Sequence, residues 1–282
     1  MQFKDDGQFV TTPDNVKIYF ETDGNPSKPP ILIVPGLGGL EETYNHVAER
    51  LKDRFFIVKI DGRGLGLSDK PEGMYSIDML AEDVLAILDQ LGIQKINILG
   101  HSLGGFVAQQ FYNNHPDRVN SIILVSTNCG YGDPKAVLPP KAEIDRFNEV
   151  LDPAAPDFAQ KALAKTLMCY DKSFVMSQEG QKAITEVAMM SKERVVYESL
   201  VKRGDGGWKF KNFDNLPKIA VPVLVMHGDS DQLVPIANAD IFASNIPNCT
   251  KVVFQSCGHH PFIEKRDDFV KTLGDFVNQV SA

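Results

Sequence analysis

Between Ile31 and Val125, short apolar runs alternate with stretches of helical periodicity, and this rhythm restricts the chain to a parallel α/β architecture. Ile31–Val34, Phe55–Ile60, Lys95–Leu99 and Ser121–Val125 are largely apolar runs of strand length, the pattern of strands covered on both faces. The intervening stretches have helical character over about 43–52 and over Leu103–Asn114. Between Phe55–Ile60 and Lys95–Leu99, Ser76 is placed to cap a helix whose stripe is Ile77, Leu80, Val84, Leu85, Leu88 and Leu91, and Gly92 ends it. Consecutive strands joined through helices must run parallel, so a central sheet with helices on both faces is expected. Val16–Glu21 alternates apolar and polar residues and reads as an earlier, partly exposed strand.

The rhythm breaks after Ser126. Pro134, Pro139, Pro140, Pro153 and Pro156 follow, and the next stretches, Asp157–Met168 and Gln181–Met190 among them, read as helices rather than buried strands. The βα pattern resumes with Val221–Met226, a helix over 235–244, the strand Lys251–Phe254 and a last helix from about Asp267. Residues 1–127 and 214–282 are therefore expected to form one α/β core, with 128–213 a helical lid inserted into it.

The balance of charge narrows the partners. The 282 residues carry a net charge of −8, a surface that repels phosphate backbones, so no nucleic acid partner is expected. No stretch approaches the roughly 20 consecutive apolar residues that span a bilayer, so no membrane association is expected. The opening Met1–Asp6 does not read as a signal peptide. Cys129, Cys169, Cys249 and Cys257 are scattered and form no C-x-x-C pair, which suits reduced thiols and a cytoplasmic, soluble protein.

The densest chemical signal is Leu99-Gly100-His101-Ser102-Leu103-Gly104-Gly105. A G-x-S-x-G match matters where a buried strand stops and a helix starts, because the sharp turn then presents the serine above the sheet. Small residues at 100 and 104 let strand and helix pass closely, and the helix directs its first N–H groups at the site. A serine needs a base, and the base needs an acid to orient it. Carboxylates arrive after the strand ending at Met226, in His227-Gly228-Asp229-Ser230-Asp231, and histidines after Phe254, in Gly258-His259-His260. In a parallel sheet all of these follow carboxyl ends of strands and share one edge. Asp231 is the chosen acid, with Asp229 the alternative and otherwise a turn former. His259 is the chosen base because Gly258 frees the loop before it; His260 is assigned to packing or the pocket wall. Zinc ligation by this cluster is disfavoured, because no characteristic ligand spacing is present, and no metal is assigned.

These motifs resemble the α/β-hydrolase superfamily across nearly the whole chain outside the lid. Asp61-Gly62-Arg63-Gly64-Leu65-Gly66-Leu67-Ser68 is similar to the family's D-x-R-G-x-G-x-S turn, and His115-Pro116-Asp117-Arg118-Val119 to the segment after its nucleophile helix. The resemblance implies Asp231 as acid and His259 as base. It also implies an oxyanion hole from the backbone N–H groups of Leu37 and Leu103, with Pro35-Gly36-Leu37-Gly38-Gly39 standing where members usually carry H-G-x-G-G. Pro35 replaces the family's histidine. Within the superfamily, the lid and this loop most resemble the 3-oxoadipate enol-lactonase-like and small-carboxylesterase group.

The function expected is that of a serine hydrolase cleaving a small carboxylic ester or lactone through an acyl-enzyme, without a cofactor. The same residues serve C–C bond hydrolases, cofactor-free haloperoxidases and acyl transferases, and a non-catalytic ligand receptor on this fold is the alternative outside enzymology. His101, Met168, Met189 and Trp208 are candidate substrate contacts, the methionines suiting a substrate with an apolar portion. Blander roles are expected elsewhere: Cys257 a buried inert thiol, His46 a surface residue, and Asp61 and Arg63 braces for the glycine turn.

Overall fold

The computed structural model describes residues 7–149, 156–191, 207 and 209–281. An eight-stranded sheet runs in the order β1-β2-β4-β3-β5-β6-β7-β8. Its strands are β1 (Gln8–Thr11), β2 (Lys17–Asp23), β3 (Pro30–Val34), β4 (Phe56–Asp61), β5 (Ile96–His101), β6 (Val119–Val125), β7 (Val223–Gly228) and β8 (Cys249–Phe254). β1–β2 and β2–β4 pair antiparallel, and every pairing from β4 to β8 is parallel. β1 has no counterpart among the strands expected from sequence. Its exposed, half-polar Gln8–Thr11 lacks the apolar run that marks the central strands, and its place comes from pairing along β2.

The helices of the core are α1 (Asn45–Leu51), α2 (Ile77–Gln90) and α3 (Leu103–Asn114) before the break, with α8 (Ala237–Asn245), α9 (Pro261–Glu264) and α10 (Arg266–Ser281) after it. Ser76 caps α2 as its position suggests, its Oγ accepting from the Met79 N–H at 3.1 Å. Alternation along each strand divides the core into two layers. Leu32 and Val34 of β3 pack with α2 and α3, whereas Ile31 and Ile33 face α1 and α10. Each such fully buried aliphatic side chain contributes about 1.5–3 kcal/mol, so the two layers together fix the sheet's register.

Between β6 and β7 lie α4 (Lys141–Asn148), α5 (Phe158–Cys169), α6 (Lys172–Met176) and α7 (Gln178–Ser191). Tyr170, Val175 and Ala183 join this segment to the layer beneath α1 and α10. β3 has β4 on one side and β5 on the other. The chain therefore reverses its direction of travel across the sheet at β3–β5, a topological switch point, beyond whose carboxyl ends an open α/β sheet binds its ligands.

Candidate active site

Two loops meet at that switch point, Pro35–Gly39 after β3 and the turn after β5. Ser102 occupies the second with φ 52° and ψ −120°, a conformation that costs a non-glycine residue about 1–3 kcal/mol. The surroundings hold it there. Its N–H donates to the Val125 carbonyl at 2.9 Å, while its carbonyl accepts from Gly105 N–H at 2.8 Å and from Thr127 Oγ1 at 2.7 Å. The flanking residues must be glycine for steric reasons: a Cβ on Gly100 would stand 2.2 Å from the Gly104 carbonyl oxygen, and one on Gly104 2.1 Å from that of Val34. Ser102 itself is 8% exposed, and α3 starts immediately after it, where the first helical N–H groups have no partner within the helix.

Asp231 follows β7 and His259 follows β8, at the same edge of the sheet. His259 Nδ1 lies 2.8 Å from Asp231 Oδ2. The other carboxylate oxygen accepts the N–H groups of Leu233 and Val234, both at 2.9 Å. His227 Nε2 donates to the Val234 carbonyl at 2.8 Å and lies 3.4 Å from Asp231 Oδ2. Burial would raise the Asp231 carboxyl, but the charge of His259 and the hydrogen bonds from His227 and His259 outweigh it and hold the group well below the usual range. Asp229 has different partners: its Oδ1 accepts from Cys257 N–H at 3.2 Å and from Ser230 Oγ at 3.0 Å. The two carboxylates of the loop thus have separate geometries, one on the imidazole and one on the turn before it.

The Pro35–Gly39 loop passes directly over the serine. A Cβ on Gly36 would lie 3.1 Å from Ser102 Cβ, and the loop closes with Gly39 N–H donating to the Gly36 carbonyl at 3.1 Å. This internal turn gives the loop a fixed shape with Pro35 in the place of a histidine. Leu37, at its tip, is 39% exposed.

A family profile described as alpha/beta hydrolase fold matches residues 29–167 and 189–266. The chain belongs to the α/β-hydrolase family. Among curated relatives, the 3-oxoadipate enol-lactonase 2 of Acinetobacter baylyi is 26% identical over 254 residues, covering 90% of this chain and 89% of that protein. Among solved structures, an esterase of Exiguobacterium antarcticum superposes with a TM-score of 0.81 at 25% identity, covering 96% of this chain and 99% of that one. A thermophilic esterase of Thermogutta terrifontis superposes with a TM-score of 0.83 at 25% identity, covering 98% and 99%. This α/β-hydrolase therefore resembles esterases and lactonases.

The remaining sequence candidates fall at different depths around the site. His101 lies beneath it, its Nε2 3.0 Å from the His259 carbonyl and its ring 4.8 Å from that of His259. Burial, reinforced by the neighbouring His259 and His260, pushes its pKa well below the usual value, so the ring is neutral and donates from Nε2. His260 stacks on Tyr170 with ring centroids 4.8 Å apart, a packing role. Met168 is buried at the end of α5. Trp208 lies outside the described residues, and Met189 is on α7 with its side chain likewise outside them. His46, expected at the surface, is half-buried, and burial lowers its pKa to about 4; its helix is covered by α10, a contact that periodicity within α1 does not reveal. Asp61 and Arg63 do brace the glycine turn: Asp61 Oδ2 accepts Leu67 N–H at 2.9 Å, and Arg63 bridges Asp14 and Asp83.

One residue at the site carries little signal in the sequence. Tyr131 forms a side-chain hydrogen bond with Ser102, and burial, with the charge of Asp231 adding to it, pushes its phenol up to about 12. Its ring meets Phe106 edge-on at 5.0 Å. The only hint in the sequence is the pair Gly130 and Gly132 around an aromatic residue in a loop following a central strand.

Proposed function

We propose that this α/β-hydrolase cleaves a small carboxylic ester or lactone through an acyl-enzyme on Ser102. The observation that carries the reading is the 2.8 Å contact between His259 Nδ1 and Asp231 Oδ2, at the sheet edge where Ser102 is held in its strained turn. With Nδ1 engaged by a carboxylate, the proton of a neutral imidazole sits on Nδ1, and Nε2 is left as the basic nitrogen. His259 Nε2 takes the Ser102 proton as Oγ attacks the carbonyl carbon. The proton passes to the leaving alkoxide as the tetrahedral intermediate collapses, and for a lactone that alkoxide stays tethered to the acyl group. Water, deprotonated by the same nitrogen, then attacks the acyl-enzyme and restores Ser102. Asp231 stabilises the imidazolium formed in each half-reaction.

The negative charge that develops on the carbonyl oxygen is met by the backbone N–H groups of Leu37 and Leu103. Fixed dipoles of this kind contribute about 3–4 kcal/mol each to transition-state stabilisation. No step calls for a cofactor. The helices α4–α7 with their flanking residues serve as a lid over 128–213, and the apolar Met168 and Leu37 favour a substrate with an apolar portion. No described helix is long and apolar enough to cross a membrane.

The test is covalent labelling with a fluorophosphonate followed by a substrate panel of p-nitrophenyl acetate and butyrate, enol-lactones and vinylogous diketones. The reading expects labelling that is lost in Ser102→Ala and in His259→Ala, with turnover of esters or lactones. Cleavage of the diketones without any ester or lactone turnover would assign the site to C–C bond hydrolysis instead. An unlabelled wild-type protein that turns over nothing would sink the enzymatic reading altogether.

A further inference from the structure

The loops bearing Asp231 and His259 are tied to the end of one lid helix. The last carbonyls of an α-helix have no partner within it and must be satisfied from outside. At the end of α5, the Leu167 carbonyl accepts Gln232 Nε2 at 3.1 Å and the Cys169 carbonyl accepts the His259 N–H at 2.7 Å. Gln232 is the residue after Asp231, so the two donors come from the acid's loop and the base's own backbone.

A second link runs through Glu264, at the end of α9. Its carboxylate accepts the Gly258 N–H with both oxygens at 3.0 Å, and the His260 N–H at 3.4 Å through Oε1. The same carboxylate accepts the Asp171 N–H at 2.8 Å through Oε2. Asp171 lies two residues beyond α5 and caps α6, its Oδ1 accepting Ser173 N–H at 2.8 Å. The amides on either side of His259 and the N-cap amide of the next lid helix therefore converge on one side chain. The imidazole has further neighbours that depend on this seating: Asp231 faces it from the β7 loop, and the His101 ring lies under it.

We infer that Glu264 is a positioning residue that couples the seating of the α5–α6 segment to the placement of His259, so that the base reaches its working position only while that segment is docked. The inference rests on the reading of His259 as the general base. A segment that lifts from the core loses the Asp171 N–H and the Cys169 carbonyl together, and the loop around His259 loses two of its anchors at once. Misplacing a catalytic group by about 1 Å costs on the order of a hundredfold in rate, which is how a lid contact remote from the reacting atoms acts on the chemistry.

The backbone offers a clean way to cut this link. Asp171 has φ −61° and Tyr170 before it is extended, at φ −130° and ψ 151°, so proline fits at 171 without strain and deletes the N–H. Asp171→Pro also removes the cap on α6, and Asp171→Ala, which removes the same cap but keeps the N–H, is its reference. The experiment measures the rate constant of fluorophosphonate labelling at saturating reagent against pH, with thermal unfolding of each protein. The expected result is labelling about ten- to a hundredfold slower in Asp171→Pro than in Asp171→Ala, with the midpoint of the pH profile displaced between the two variants. Glu264→Gln is expected to slow labelling similarly, and the double variant to be no slower than the slower single one, since both cut one link.

Equal labelling rates and midpoints for Asp171→Pro and Asp171→Ala overturn the inference, as does full additivity in the double variant. If Asp171→Pro fails to fold, Glu264→Gln decides alone, and a wild-type rate and midpoint in that variant overturn it. A wild-type protein that is not labelled removes the base reading and this inference together; a labelled wild type with indifferent variants removes this inference only.

Discussion

Asp231 and His259, 28 residues apart in sequence, meet through a single 2.8 Å contact between Oδ2 and Nδ1 in a site where both are buried. The other Asp231 oxygen is occupied by two backbone N–H groups, so the carboxylate cannot turn away from the ring. It is a fixed negative charge aimed at one nitrogen. Asp231→Asn keeps the size of the side chain but presents either an amide N–H or a weaker acceptor to Nδ1, which disturbs the tautomer. Turnover is expected to fall about ten-thousand-fold, measured as kcat on whichever ester or lactone proves fastest. Asp229→Asn is expected to stay within about tenfold of wild type, because among the described residues its oxygen holds Ser230 and the Cys257 N–H rather than an imidazole. The reverse order of severity would reassign the acid to Asp229.

The strained turn at Ser102 depends on the absence of side chains around it. A methyl group at 104 would have to displace the Val34 carbonyl, which is 2.1 Å from the position it would take. That carbonyl belongs to a central strand paired on both sides, so the backbone cannot yield locally. Gly104→Ala is expected to destabilise the fold by about 3 kcal/mol, read as a lowered midpoint in thermal or urea unfolding. A substitution tolerated without loss of stability would mean that strand and helix approach less closely than described.

Stability should fall as the pH drops from 7 toward 4.5. His101 is held neutral well below its usual pKa, His260 is lowered to about 3 and His46 to about 4, in each case first by burial. Below about pH 6.5 the unfolded chain takes up these protons and the folded one does not. Each such group costs about 1.4 kcal/mol per pH unit until its own folded pKa is reached. Glu264 works in the opposite sense: burial raises it to about 7 against the opposing amides of Asp171, Gly258 and His260, so its contribution is present at low pH and lost as pH rises through 7. Three histidines against one carboxylate leave a net loss of stability on acidification. The check is the melting temperature across this range, with His260→Gln reducing its slope. A flat or rising profile toward acid contradicts the neutral-histidine assignment.

What could be read from sequence follows from which interactions are local. Leu103–Asn114 is bounded in the structure as its pattern suggests, because the glycine-flanked serine before it and His115 after it are both nearby in the chain. The order of Ser102, Asp231 and His259 along one edge follows from strand direction alone, since three loops after parallel strands must share a side. The burial of His46 depends on a partner distant in sequence, α10, whereas β1 pairs with the adjacent β2 but its exposed, half-polar residues carry no apolar run of their own. Tyr131 belongs with His46: its meeting with Ser102 arises because β5 and β6 are neighbours in register, with His101 opposite Val125, so the loop after one lies beside the turn after the other. Glu264 carries no signal in the sequence because its partners are backbone amides, which leave no trace in residue type.

Tyr131 leads to the last prediction. Burial keeps its phenol protonated at neutral pH, and its side chain shares a hydrogen bond with that of Ser102. Ser102 Oγ has one proton, and in the proposed mechanism that proton points to His259 Nε2. Tyr131 is then the donor of the pair, and its O–H stabilises the negative charge that grows on Oγ as the proton leaves. Hydrogen bonds to a charged group are worth about 1.5–3 kcal/mol, against about 1 kcal/mol for neutral partners, so the bond strengthens as the reaction proceeds and acts on rate more than on binding. Tyr131→Phe keeps the edge-on contact with Phe106 and removes only the hydroxyl. Labelling by fluorophosphonate and kcat on the best substrate are both expected to fall about tenfold with KM nearly unchanged. A rise in KM at constant kcat would instead make Tyr131 a substrate-binding residue, and wild-type kinetics would leave it as pocket packing.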